Sequence, residues 1–136
     1  MTLSDLWDNA LAGGRADWMV LPGGNMDYAA LVLAVRRWCA WFDAAGLGEG
    51  DRVLIRTHDD VIAATGFIAA LLDGVVPVLM TGDTPDLRAL AVAQVVAAKA
   101  FAADRGTMPA GQSGIEIGPA KAKGWFSRAV DPLGGL

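Results

Sequence analysis

The residues of greatest chemical reach in this chain form one short run, His58-Asp59-Asp60, just after the apolar stretch Arg52-Val53-Leu54-Ile55. An imidazole beside two carboxylates has the donor types of a divalent-metal site. Adjacent residues seldom converge on one ion, however, and an aspartate ahead of a helical run is a preferred N-cap, because its carboxylate accepts the first unpaired backbone N–H groups. Capping is therefore the expected role of Asp59 or Asp60, and no metal site is assigned. Thr81-Gly82-Asp83-Thr84 also opens a helix, where an anion could dock. No basic residue stands nearby in sequence, so a plain capped turn is expected. Gly46-x-Gly48-x-Gly50 has nucleotide-loop glycines in the wrong place: they follow a helix and open a strand, the reverse of the dinucleotide fingerprint. Gly106-Thr107-Met108-Pro109-Ala110-Gly111-Gln112-Ser113 has P-loop spacing, but Gln112 stands where the phosphate-binding lysine must be. Cys39 is the only cysteine, which excludes an intrachain disulfide and a multi-thiolate metal site; it is expected to be a small buried hydrophobe. These readings leave no catalytic residue and no assigned cofactor-binding residue.

The elements that would position these groups follow from periodicity. Residues 2–12 read as a short helix ended by Gly13-Gly14, and Asp17 to Leu21 as a strand before the turn Pro22-Gly23-Gly24-Asn25. Tyr28, Leu31, Val32, Val35, Trp38, Cys39 and Phe42 recur at three- and four-residue steps, which puts them on one helical face. Asp27 is the expected cap and Gly46 the expected stop, with Arg36, Arg37 and Asp43 on the opposite side. Arg52 to Ile55 reads as a buried strand, and Val61 to Leu72 as a helix apolar on nearly every side. Val75 to Met80 reads as a second buried strand. Thr84-Pro85-Asp86 then starts a helix reaching about Ala98, with Thr84 as cap, and Ala100 to Ala103 is a third strand with Asp104 at its end. Short apolar strands joined through helices imply a parallel sheet covered on both faces. The expected fold is α/β: a three-layer α/β/α arrangement of flavodoxin-like type with a mostly parallel sheet.

Bulk composition supports this. The chain has 136 residues, 54% apolar and 19% charged, enough to bury one core. The net charge of −4, with no basic patch carrying interleaved aromatics, argues against nucleic acid as a partner. Val61 to Gly82 is long and apolar enough to imitate a membrane span, but Asp73 in its middle, the Asp73-Gly74 turn and Pro77 favour a buried helix followed by a strand. No signal peptide is read at the N-terminus, and a cytoplasmic location is expected. Residues 1–104 form the expected α/β unit. Residues 105–136 form a Gly/Pro-rich tail, partly ordered, in which Ile115 to Gly118 could add a strand and Trp125-Phe126 needs a surface to pack on.

The segment from Tyr28 to Asp104 resembles the N-terminal part of the adenylate-forming superfamily: acyl-CoA synthetases, luciferases and peptide-synthetase adenylation domains. The resemblance is carried by Tyr28-Ala29-Ala30-Leu31 and by Gly46-Leu47-Gly48-Glu49-Gly50-Asp51-Arg52-Val53. It continues in Ala63-Ala64-Thr65-Gly66-Phe67, Asp73-Gly74-Val75-Val76-Pro77-Val78, Thr84-Pro85-Asp86-Leu87-Arg88 and Ala102-Ala103-Asp104. It implies the opening segment of an ATP-dependent acyl-CoA ligase acting through an acyl-adenylate, with ATP, Mg and CoA as cofactors of the parent enzyme. That family holds ATP phosphates in a Ser/Thr/Gly-rich loop ending in Gly-x-Pro-Lys. The nearest stretch here, Gly118-Pro119-Ala120-Lys121, has neither the Ser/Thr run nor the spacing. The expectation is therefore a non-catalytic fragment whose partner is the rest of the parent enzyme, or another copy met through exposed apolar surface. The alternative is a stand-alone flavodoxin-like binding or interaction module.

Overall fold

The computed structural model describes residues 3–12, 17–19, 26–104, 107–109 and 114–117. Its elements are α1 (Leu3–Ala12), β1 (Asp17–Met19), β2 (Met26–Asp27), α2 (Tyr28–Ala44), β3 (Arg52–Thr57), α3 (Asp60–Asp73), β4 (Val76–Thr81), α4 (Asp86–Val95), β5 (Ala100–Asp104) and β6 (Gly114–Ile117). β1 and β2 pair antiparallel as a separate ribbon. The other four strands form one sheet in the order β4-β3-β5-β6, and all its pairings are parallel. Numbered from its own first strand, that order is 2-1-3-4, the doubly wound order of flavodoxin-like sheets.

The chain steps one way from β3 to β4 and the other way from β4 to β5, passing over β3. Because strand–helix–strand crossovers keep one hand, reversing the step moves the connecting helix to the opposite face. The two cores record this. α2 and α3 pack with Val53, Ile55, Ala100 and Ala102 on one face, and α4 packs with Leu54, Phe101 and Ala103 on the other. The result is the expected three-layer α/β/α fold.

The first layer is well specified. Asp27 caps α2, its Oδ1 accepting from Ala30 N at 2.8 Å. α2 stops at Gly46, whose φ of +74° lets Gly46 N and Leu47 N reach back to Asp43 O and Phe42 O. Trp38 and Phe42 are fully buried, and Trp38 Nε1 donates to Thr65 Oγ1 on α3 at 3.2 Å. Gly66 lets the helices meet there: a Cβ on it would stand 3.0 Å from Ile55 Cδ1 and from Trp38 Cε2.

Three expectations need correction. Arg37 is buried rather than solvated. The β1–β2 ribbon packs against α2, and the buried arc of the helix extends to Ala34, Arg37 and Trp41. β4 is not a buried strand: it is an edge of the sheet, with Val76 and Leu79 42% and 44% exposed. Its pairing explains Pro77. Val76 N and Gly82 N donate to Asp51 O and Thr57 O on the β3 side, so even-numbered amides face β3 and odd-numbered ones face outward. Pro77 therefore removes an N–H only from the open edge, which blunts that edge against a further strand. Thirdly, α4 begins one residue late for Thr84 to be its cap. Pro85 takes that position without a side-chain bond, and the helix ends at Val95 rather than near Ala98.

Gly13-Gly14, the Pro22–Asn25 turn and Trp125-Phe126 lie outside the described residues. Among the described residues no helix is long and apolar enough to cross a membrane.

Candidate functional site

In an open parallel sheet, ligands bind at the carboxyl ends of strands where the order reverses. Here that is the gap between β3 and β5, and the structure gathers polar residues there. Asp104, at the end of β5, accepts from Thr57 Oγ1 at 2.6 Å and from His58 N at 2.9 Å. Thr57 Oγ1 in turn accepts from Asp59 N at 3.0 Å. Asp59 Oδ1 accepts from Val61 N and Ile62 N, so it caps α3 as its position ahead of the helix requires. Asp60 lies in the first turn, exposed. The His58 side chain points the other way, its Nδ1 3.7 Å from Asp83 Oδ1, both groups open to solvent. The His58-Asp59-Asp60 run is thus split among three tasks. No group of three metal-ligating side chains is found among the described residues.

The Thr81–Thr84 turn closes on itself. Thr84 N donates to Thr81 O at 3.1 Å, and the two hydroxyls lie 3.4 Å apart. Gly82 sits against the His58 ring so closely that a Cβ would fall 2.3 Å from His58 Cδ2.

The residue that organises this edge is one that sequence reasoning missed. Arg56 is only 2% exposed. Its Nη1 donates to Asp86 Oδ1 at 2.8 Å and to Thr84 O at 3.2 Å, and its Nη2 donates to Thr107 O. The guanidinium also lies 5.8 Å from the Phe101 ring centroid. Its charge is engaged by the protein itself, through Asp86, and the same edge of the sheet carries two further carboxylates, Asp83 beside His58 and Asp104 beside Thr57. Three carboxylates at this edge and a buried arginine that is already bonded disfavour a triphosphate there. An arginine closing an apolar strand that faces a strand ending in Asp is the one signal that could have marked this cluster.

The glycine run at the opposite edge is structural. Asp51 accepts from Gly48 N at 2.7 Å and from Lys99 Nζ at 3.3 Å, and Lys99 also donates to Gly46 O at 2.7 Å. The Gly48 amide first, then Lys99, holds the Asp51 carboxyl below the usual range. Gly50 takes φ +82° to turn the chain into β3. In the Gly106–Ser113 segment, Thr107 folds back on Asp104 O, Met108 packs under α4, and Pro109 is buried; the other residues of that segment lie outside the described ones.

Cys39 is half-buried, and burial, then the charges of Asp73 and Asp43, pushes its thiol up to about 12. That makes it a poor nucleophile. Burial, then Asp43, likewise raises the Asp73 carboxyl. A separate apolar cavity of about 290 Å³ opens between α1, α2 and α3, lined by Leu6, Trp7, Tyr28, Leu31, Ile68 and Leu72 among others.

No family model matches this sequence, and no curated protein matches it. Solved structures do. The N-terminal subdomain of NpsA from Klebsiella oxytoca matches with a TM-score of 0.69 and 17% identity over 84% of this chain and 30% of that one. IdnL1 matches with a TM-score of 0.65 and 26% identity, covering 77% of this chain and 21% of IdnL1. A benzoate CoA ligase from Burkholderia xenovorans gives 0.65 and 22%, covering 79% and 22%. The chain has the fold of the N-terminal subdomain of NpsA, an adenylation protein, and of part of a CoA ligase. It spans less than a third of the length of these structures.

Proposed function

We propose that this chain is the N-terminal α/β segment of an ATP-dependent ligase that activates a carboxylic acid as an acyl-adenylate and passes the acyl group to a thiol such as coenzyme A. In this reading the segment supplies scaffold and no catalytic group. The observation that carries it is the 2-1-3-4 parallel sheet, which shares its fold with the NpsA N-terminal subdomain over 84% of the chain. The motif residues take supporting parts in that sheet. Asp51 and Lys99 lock the turn into β3, Gly74 stops α3, and Pro77 sits on the open edge of β4. ATP, Mg and coenzyme A would be held by the rest of the enzyme, because the polar edge at the carboxyl ends of β3 and β5 is acidic and its buried arginine is already bonded. The principal partner is then the remainder of the ligase, in the cytoplasm.

The test has a genetic and a biochemical arm. The reading frame beyond Leu136 is expected to encode a Ser/Thr/Gly-rich loop with Pro-Lys, and ATP–pyrophosphate exchange is expected only when that segment is present. A frame that stops without such a loop, or exchange by the 136-residue chain alone, overturns the reading. The apolar cavity favours a second reading, a stand-alone module that binds a small apolar ligand. A ligand-dependent rise in Tm with benzene or short aliphatic acids, lost in Leu72→Gln, would support it.

A further inference from the structure

We propose that the cavity between α1, α2 and α3 takes a small aromatic or aliphatic amine, with the apolar body of the ligand against Leu31, Ile68 and Leu72 and its ammonium group at an acidic mouth beside Asp73. This ligand class rests on the second reading above and narrows it. The cavity holds about 290 Å³. An apolar cavity of roughly 150 Å³ is enough for a benzene ring, so there is room here for a bicyclic ring such as indole with a short side arm. Among the described residues every lining side chain is apolar or aromatic, which favours an apolar body. Leu6 and Leu71, 51% and 38% exposed, mark the open side between α1 and α3.

The sign of the polar end follows from what surrounds the lining residues. Asp8 follows Trp7, Asp27 precedes Tyr28 and Asp73 follows Leu72, and all three aspartates are exposed. Glu49 lies beside Gly74, its Cγ 3.3 Å from where a Cβ would stand. α1 and α3 carry no lysine or arginine, and the bases of α2, Arg36 and Arg37, do not line the cavity. Neither α1 nor α3 has a basic residue in its last turn, where the helix dipole is negative and favours a cation. Burial, then the charge of Asp43, raises the Asp73 carboxyl, and an ammonium group there would offset the repulsion between these two carboxylates. Trp7 and Tyr28 form two of the walls, and aromatic faces also attract a cation. A carboxylate ligand at the same place is repelled.

The test uses three indoles of similar size and different charge on the full chain: tryptamine, 3-ethylindole and indole-3-propionate. In isothermal titration at low salt, tryptamine is expected to bind about 5–10-fold more tightly than 3-ethylindole, and the propionate more weakly than either. The advantage of tryptamine is expected to shrink as salt is raised. Asp73→Asn is expected to bring tryptamine to the level of 3-ethylindole. Bound tryptamine is expected to slow hydrogen exchange at α1 amides, which places it in this cavity rather than elsewhere on an acidic protein. Equal binding of the three indoles overturns the amine assignment and leaves the second reading standing. An amine preference that survives Asp73→Asn, or α1 exchange that tryptamine leaves unchanged, overturns it as well. No binding of any of the three at millimolar concentration overturns both. Pyrophosphate exchange bears on neither, so the ligase assignment stands or falls separately.

Discussion

The two helical layers of this sheet are built to different standards. α2 and α3 are closed at both ends by local chemistry: Asp27 and Asp59 cap their starts, and Gly46 and Gly74, both at φ +74°, end them. Between them lie Trp38, Phe42 and Ile62, all fully buried. α4 has neither the side-chain cap nor the terminal glycine nor the deep packing. Pro85 stands at its start without a side-chain bond, Ala97 takes φ +53° just past its end, and Ala89 is its single buried residue. What holds α4 comes from the sheet. Arg56 grips Asp86 and Thr84 O at its start, and Arg52 bonds Val96 O at its end. One layer is secured by packing, the other by two arginine tethers reaching out of β3. An element held that way contributes little to the core and keeps its outer face available.

The largest expected effect falls on the packed layer. Trp38→Ala removes a buried ring and the hydrogen bond to Thr65 and is expected to cost about 3–5 kcal/mol in urea denaturation. Leu87→Ala, at an exposed position, is expected to cost less than about 0.5 kcal/mol. Similar losses at the two sites would erase the distinction between the layers. The next effect falls on a tether. Arg56→Met keeps an apolar stem in place but leaves the carbonyls of Thr84 and Thr107 without their donor and frees the exposed Asp86 carboxylate to water, at a cost of about 1–3 kcal/mol. Native-state hydrogen exchange should then show α4 amides losing protection while α2 and α3 keep theirs. Uniform loss across all three helices would mean that Arg56 supports the whole sheet rather than α4.

The same difference governs what was legible in the sequence. The first layer could be read because its signals are local: three- and four-residue apolar steps from Tyr28 to Phe42, an aspartate before each helix, a glycine after it. The alternation of strand and helix then fixed the layer count. Strand position was not legible. Val75 to Met80 reads as buried because its residues are apolar, and only the order β4-β3-β5-β6 reveals an edge. Arg56 was hidden for a related reason. Its three partners, Thr84, Asp86 and Thr107, lie 28 to 51 residues away, and no local pattern announces a contact of that range. His58, Asp59 and Asp60 misled in the opposite direction, because adjacency in sequence suggested a shared site while the helix start sends the side chains apart.

The smallest effect is the one whose sign is most diagnostic. Ala98 N and Ala97 N reach back to Ala93 O and Gln94 O at 2.8 and 3.2 Å, the bonding pattern that closes α2 through Gly46. The backbone at Ala97 is thus doing what glycine does at the end of α2, with a Cβ present. An L-residue in that left-handed conformation costs about 1–2 kcal/mol. Glycine relieves this but loses about 0.5–1 kcal/mol to the greater freedom of the unfolded chain. Ala97→Gly is therefore expected to stabilise the protein by about 0.5–1 kcal/mol, with added exchange protection confined to the last turn of α4. Ala98→Gly, one residue on and without a positive φ, should destabilise it by a similar amount. If both substitutions destabilise, α4 does not end through Ala97, and the weakness of the second layer lies in its packing alone.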